Sequence, residues 1–201
     1  MADITAQMVK ELRQATGAGV LDCKQALELH DGDFDRAVAY LREKGMVAAA
    51  KRAAREAREG LIGHYIHAGS RVGALVEVNC ETDFVARTDQ FQELAHDLAM
   101  QVVAARPLYL STADLPAGAF AAWLHENDAD CGRYPSPADI PTDLLEQKKD
   151  SYRKFQEEVC LLEQPFIKDP SITVAELVQQ RNALLGENIV VRRFVRFEVG
   201  G

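Results

Sequence analysis

The sequence predicts an α+β fold: three short helices, then a core of a small antiparallel sheet packed with helices. Three observations predict it. Apolar residues recur at helical spacing through residues 4–44 and again, more strongly, through 91–102. Alternating apolar residues mark a hairpin over 61–78. A second alternating run, 189–199, supplies the third strand that a lone hairpin, marginal in water, requires.

The elements follow in order. Thr5 caps a first helix, with Ile4 and Val9 placed as a hydrophobic staple and Met8, Val9 and Leu12 as the apolar stripe. Gly17-Ala18-Gly19 breaks that helix and reads as a helix-to-helix turn, since no Lys-Ser/Thr pair follows to make a phosphate loop. Val20 and Leu21 open a second helix carrying Ala26, Leu27 and Leu29. Asp31-Gly32 turns the chain. Asp33 then caps a third helix with Phe34, Ala37, Val38 and Leu41 on one face, and Gly45 is expected to stop it. Residues 46–59 are rich in Ala and Arg without a wide apolar stripe, and are expected to form a solvated helical linker. Glu56 and Glu59 interrupt Lys51, Arg52, Arg55 and Arg58, which argues against a nucleic-acid patch. The expected organisation is a three-helix docking domain over 1–45, the linker over 46–59, and an α+β core and dimerisation domain over 60–201.

In the core, 61–67 alternates, Ala68-Gly69-Ser70 turns, and Val72, Ala74, Val76 and Val78 line one face of the returning strand. The run then stops at Asn79-Cys80-Glu81-Thr82-Asp83, and Phe84 follows at once. Thr82, Asp83 and Phe84 are therefore expected on a turn between a strand and a helix; there the ring either projects into a partner, having little local core to enter, or closes the end of the sheet, which is the reading composition alone favours. Thr88 or Asp89 caps the next helix, whose stripe is Phe91, Leu94, Ala95, Leu98, Ala99 and Val102. Five prolines punctuate 106–141, with a short helix expected near 120–124. A single helix is expected from Thr142 to about Glu163, with Leu145, Tyr152, Phe155, Val159 and Leu162 on its stripe and Gln164-Pro165 ending it. Thr173 and Glu176 form a capping box for a helix that buries Val174, Leu177, Val178, Leu184 and Leu185 and ends at Gly186. In the final strand Ile189, Val191, Val195, Phe197 and Val199 share one face with Arg193.

Composition limits the function. The 201 residues are 47% hydrophobic and 27% charged, as in a protein that buries a core, with no run near the roughly 20 apolar residues of a membrane span. The start of the chain lacks a basic and apolar leader, and the four cysteines lack any C-x-x-C pair, so a reducing cytoplasm is expected. A net charge of −8 disfavours direct nucleic-acid binding and suits a protein partner. No P-loop, dinucleotide, serine-hydrolase or zinc-protease motif occurs, and His64 and His67 fall on opposite faces of a strand. No cofactor, no metal and no enzyme activity are expected. Cys80 reads as a small buried residue rather than a nucleophile.

Several segments carry a resemblance to the translation elongation factor Ts family. They are Val9-Lys10-Glu11-Leu12-Arg13, Thr16 to Leu27, Glu77-Val78-Asn79-Cys80-Glu81-Thr82-Asp83-Phe84-Val85-Ala86, Glu158 to Asp169, and Gly186 to Phe197. The three-helix start resembles a ubiquitin-associated domain, which that family carries at its N-terminus. The resemblance implies a guanine nucleotide exchange factor whose partner is elongation factor Tu. Thr82, Asp83, Phe84 and Val85 match the motif that disturbs the partner's Mg²⁺ and phosphate site, and Leu12, Val20 and Leu21 match its N-terminal docking residues. The chain resembles a short member, with one set of core strands where long members have two. A homodimer is therefore expected. The alternative is a ubiquitin-like-binding or scaffolding adaptor without exchange activity.

Overall fold

The computed structural model describes residues 4–16, 18–52 and 54–201, without the side chains of 46–51. Gly17 of the expected Gly-Ala-Gly turn and the solvated character expected of 46–51 lie outside the described residues. The fold class is α+β, as predicted: helices accompany a three-stranded sheet of order β1-β2-β5, where β1 is Glu59–Ile66, β2 is Val72–Cys80 and β5 is Val190–Glu198. Contacts group the backbone into two units. The first holds the N-terminal segment through Ile62, Glu77–Ala95 and Glu176–Val191; the second holds Gly63–Val76, His96–Ala175 and Arg192–Gly201.

In the first unit, α1 (Ala6–Thr16), α2 (Val20–Leu29) and α3 (Phe34–Arg52) form the three-helix bundle. Leu12, Cys23, Ala26, Leu27, Ala37 and Leu41 are its buried centre, and the staple pair Ile4 and Val9 packs against them. Caps fix where helices start: the Thr5 hydroxyl accepts the Met8 N–H at 3.3 Å and Asp33 Oδ1 accepts the Arg36 N–H at 3.0 Å. Gly45 does not stop α3, which runs on to Arg52. A glycine inside a helix costs only about 1 kcal/mol, and Ala-rich sequence follows. Here it also permits close approach, since a Cβ at Gly45 would lie 3.2 Å from the Ala183 Cβ. At the far end of α3, the Arg52 guanidinium donates to the Asn182 carbonyl at 3.2 Å. Residues 54–58 are not helical, so of the helix expected over 46–59 only the part up to Arg52 forms. The helix α9 (Val174–Leu185) ends at Gly186, whose φ of +75° suits a residue without a side chain. Where β1 passes β2, a Cβ at Gly60 would meet the Val78 carbonyl oxygen at 2.1 Å, so only glycine fits.

In the second unit, the hairpin closes with the His67 N–H donating to the Val72 carbonyl at 2.9 Å. Strand β2 and helix α5 (Asp89–Ala105) are each divided between the units, after Val76 and after Ala95; the expected face of β2 is buried at Ala74, Val76 and Val78, and all six stripe residues of α5 are fully buried. Beyond α5, α6 (Ala119–Asn127) forms where the short helix is predicted. The single helix expected over 142–163 is instead two, α7 (Thr142–Gln147) and α8 (Lys149–Val159), with Leu161–Glu163 in a separate 3-10 turn. They part at Lys148, with φ −92° and ψ 37°, and its ammonium reaches Asp128 at 2.7 Å. A small hairpin of β3 (Pro165–Phe166) and β4 (Asp169–Thr173) is unpredicted. Buried Gln101 fixes it, donating to Gln164 Oε1 and the Pro165 carbonyl and accepting the Ile167 N–H at 2.9 Å. The Lys168–Asp97 pair at 2.6 Å adds a charged contact. In β5 the alternation holds, but burial stops after Val191: Val195 and Phe197 are exposed.

Candidate functional site

The segment 79–88 lies within the first unit, where β2 leaves the sheet. The Asn79 side chain donates to the Glu59 carbonyl at 3.0 Å, pinning the strand end to its neighbour. Cys80 points inward, and its thiol donates to the Thr82 carbonyl at 3.1 Å. The chain then forms α4 (Asp83–Ala86), a single helical turn rather than the plain turn expected from the sequence. Thr82 is its cap: an extended backbone turns its hydroxyl to accept the Val85 N–H at 3.4 Å. Thr88 caps α5, accepting the Phe91 N–H at 3.3 Å.

The four candidate residues divide by direction. Phe84 is 79% exposed on α4, the outward end of the segment. Asp83 is half-exposed and pairs with Arg87 at 2.8 Å, one helical turn on. Val85 is partly covered, and its carbonyl accepts the Thr88 hydroxyl at 2.8 Å. Thr82 faces inward. Its hydroxyl, besides capping α4, donates to Glu187 Oε1 at 2.5 Å, so its polar atoms are engaged within the chain. The outward chemistry is therefore an apolar ring beside a carboxylate–guanidinium pair, Asp83 with Arg87.

Glu187 has no local sequence signal, since its partners lie more than a hundred residues away in the chain. Its Oε2 accepts the Glu81 N–H at 3.0 Å and the Thr82 N–H at 3.1 Å. Glu81 returns the arrangement by accepting the Asn188 N–H at 2.7 Å, and Asn188 donates to the Arg55 carbonyl at 2.7 Å. Arg55 also approaches Glu81 at 3.6 Å.

The N-terminal candidates split the same way. Leu21 is 82% and Val20 51% exposed at the start of α2, next to Gly19. Leu12, grouped with them by resemblance, is 0% exposed in the bundle centre. It cannot touch a partner without unpacking the bundle. Leu29 and Phe34, neither singled out for docking in the sequence, are also exposed.

No nucleophile emerges from the cysteines. Cys23, Cys80, Cys131 and Cys160 are all free and buried. Burial, then the nearby Glu187 charge, pushes the Cys80 thiol up to about 11, and burial raises Cys160 to about 11 as well. Among the described residues no group of three His, Cys, Asp or Glu side chains is placed to hold a metal ion, and no helix is long and apolar enough to cross a membrane.

The sequence of the whole chain carries the same pattern. Residues 2–201 match the family described as Elongation factor TS. Proteins named elongation factor Ts are similar throughout. The one from Carboxydothermus hydrogenoformans is 51% identical over 197 residues, covering 98% of this chain and 89% of the relative. That from Herpetosiphon aurantiacus is 50% identical over 200 residues, 98% of each. That from Synechocystis is 49% identical over 204 residues, covering 100% of this chain and 91% of the relative. A match along essentially the full length, through both the N-terminal bundle and the strand end that carries Phe84, makes this chain a member of the elongation factor Ts family.

Proposed function

We propose that this chain is a guanine nucleotide exchange factor that binds elongation factor Tu in its GDP form and expels the nucleotide. As a member of its family it serves translation elongation, and the exchange reading gives that role a mechanism. The observation that carries it is Phe84, a large ring left 79% exposed on a short helix whose base is tied down. A rigid aromatic of this kind is an efficient interface anchor. Pressed into the partner's nucleotide domain, it shifts the groups around Mg²⁺, and Mg²⁺ tolerates little departure from octahedral geometry. Asp83, beside it, brings a carboxylate that competes for the same surroundings. No covalent bond is made or broken, so the chain acts by binding and not as an enzyme. Coupling is reciprocal: a factor that weakens nucleotide binding is itself bound less tightly once nucleotide returns, which lets it leave.

Residues 1–45 act as the docking unit, presenting Val20 and Leu21 to the partner. The core forms a homodimer. What supports the dimer is the face of the sheet in the second unit opposite buried Ala74 and Val76. There Ile66, Leu75, Val195 and Phe197 are exposed. A second copy offers the same apolar face and would cover it. The test of the function is release of a fluorescent GDP from elongation factor Tu with and without this chain. Acceleration is expected. Binding without acceleration would favour a scaffolding adaptor instead.

A further inference from the structure

We propose that Glu187 is a positioning residue for nucleotide exchange, holding the end of β2 so that Phe84 is presented before the partner arrives. The proposal rests on the reading of Thr82–Val85 as the exchange motif. Three observations lead to it.

First, α4 has only four residues. Isolated helices shorter than about 12 residues are marginal in water, so α4 cannot set its own direction. Its geometry must be imposed on its first residues from outside. Second, the outside constraint is one carboxylate. Glu187 takes the backbone N–H groups of Glu81 and Thr82 on one oxygen and the Thr82 hydroxyl on the other. Those two amides follow the last residue of β2, so the sheet no longer pairs them. Because the Thr82 hydroxyl donates to Glu187, its lone pair is left to accept the Val85 N–H and start α4. The carboxylate thus orients the cap, the cap orients the turn, and the turn orients the ring. Third, Glu187 is itself held. The next residue, Asn188, donates its N–H to Glu81 and its side-chain amide to the Arg55 carbonyl. The clasp ties three distant stretches of chain around the base of Phe84 while the ring takes no part in it. A residue that fixes a ring without burying it lowers the ordering cost of binding.

The test is a double-mutant cycle in the full chain, read by fluorescent-GDP release from elongation factor Tu. Glu187→Gln keeps the shape but faces an NH₂ group toward donors that need an acceptor. We expect exchange about tenfold slower, less than the loss on removing the ring, since the ring is displaced rather than absent. In a Phe84→Ala background the same change should add almost nothing, because the ring it positions is gone. A purely structural Glu187 would give losses that add in full. Amide hydrogen exchange on the free chain gives a second readout: the Thr82 amide should lose protection in Glu187→Gln while the bundle amides keep theirs. Wild-type exchange activity in Glu187→Gln, or full additivity with Phe84→Ala, overturns the proposal. Normal activity in Phe84→Ala alone overturns the motif reading instead, and the Thr82 amide then still reports whether the clasp exists. If Glu187→Gln does not fold, Glu187→Asp keeps the charge but draws the carboxylate back from its Glu81 and Thr82 donors, leaving the Thr82 hydroxyl in place to cap α4. It is expected to slow exchange and likewise to add almost nothing to Phe84→Ala; additivity there overturns the proposal equally.

Discussion

Replacing Phe84 by Ala separates a wedge from a core residue. With 79% of its surface exposed, the ring has about a fifth covered in the free chain. Full burial of a large apolar side chain contributes about 1.5–3 kcal/mol, so a fifth contributes about 0.3–0.6 kcal/mol. For a chain of this size that lowers Tm by about 2 °C or less. A fully buried Phe cut to Ala would instead cost about 3–5 kcal/mol. In the complex the ring is expected to anchor the interface, where such residues are worth about 2 kcal/mol or more, roughly a 30-fold loss of affinity. The paired measurement is a thermal melt of the variant and its rate of fluorescent-GDP release from elongation factor Tu at limiting factor. The expected outcome is a near-parental Tm with release slowed about 30-fold. A variant that melts far below the parent, yet exchanges normally when kept cold, would refute the reasoning, because the ring would then be structural.

Three further outcomes follow from the same geometry. Val20→Asp with Leu21→Asp should weaken complex formation by about tenfold or more in a titration while helical circular dichroism stays unchanged, since charged groups at a docking patch must be desolvated on binding; lost helicity would place the pair in the core. Phe197→Glu should convert a dimer to a monomer in light scattering, and a parental chain that is already monomeric and fully active would refute the dimer. Asp128 is held at about 2, first by Lys148 and then by the Cys131 N–H, well below the ordinary 3.8. A carboxylate depressed in the folded chain stabilises above its ordinary value and loses that contribution as pH falls from about 4 toward 2. Asp128→Asn should therefore flatten the fall in Tm across that window, whereas superimposable melting curves for parent and variant would count against the pair.

The periodic elements were legible because their burial is one-sided. The stripe of α5 is read directly from spacing, as is the buried face of β2, and each is a long run with a single period. What the sequence did not disclose depends on contacts between distant residues. The break at Lys148 reflects an ion pair with Asp128, twenty residues back. Gly45 looked like a stop signal, but its lack of a side chain serves the approach of α3 to Ala183. The hairpin of β3 and β4 is too short for any alternation to show, and it is held by Gln101 from another element. At the candidate site, the polar cluster places Phe84 on a turn, but local sequence suits a ring that closes the end of the sheet as well, and it is the resemblance that points the ring outward. Glu187 was not legible, since nothing near it in sequence names its donors. Leu12 was grouped with the docking residues by likeness alone, and its 0% exposure separates it from Leu21.

The four buried cysteines have a practical corollary. Thiolates, not thiols, attack alkylating dyes, and here every sulfur is shielded and raised above its ordinary value. A single cysteine introduced at an exposed surface position would therefore be the fastest-reacting thiol of the native chain. A maleimide fluorophore could be attached there without first stripping the native cysteines. Placed beside Leu21 or near Phe197, such a label would report docking or self-association directly, as energy transfer or a change in anisotropy, in an otherwise unaltered protein.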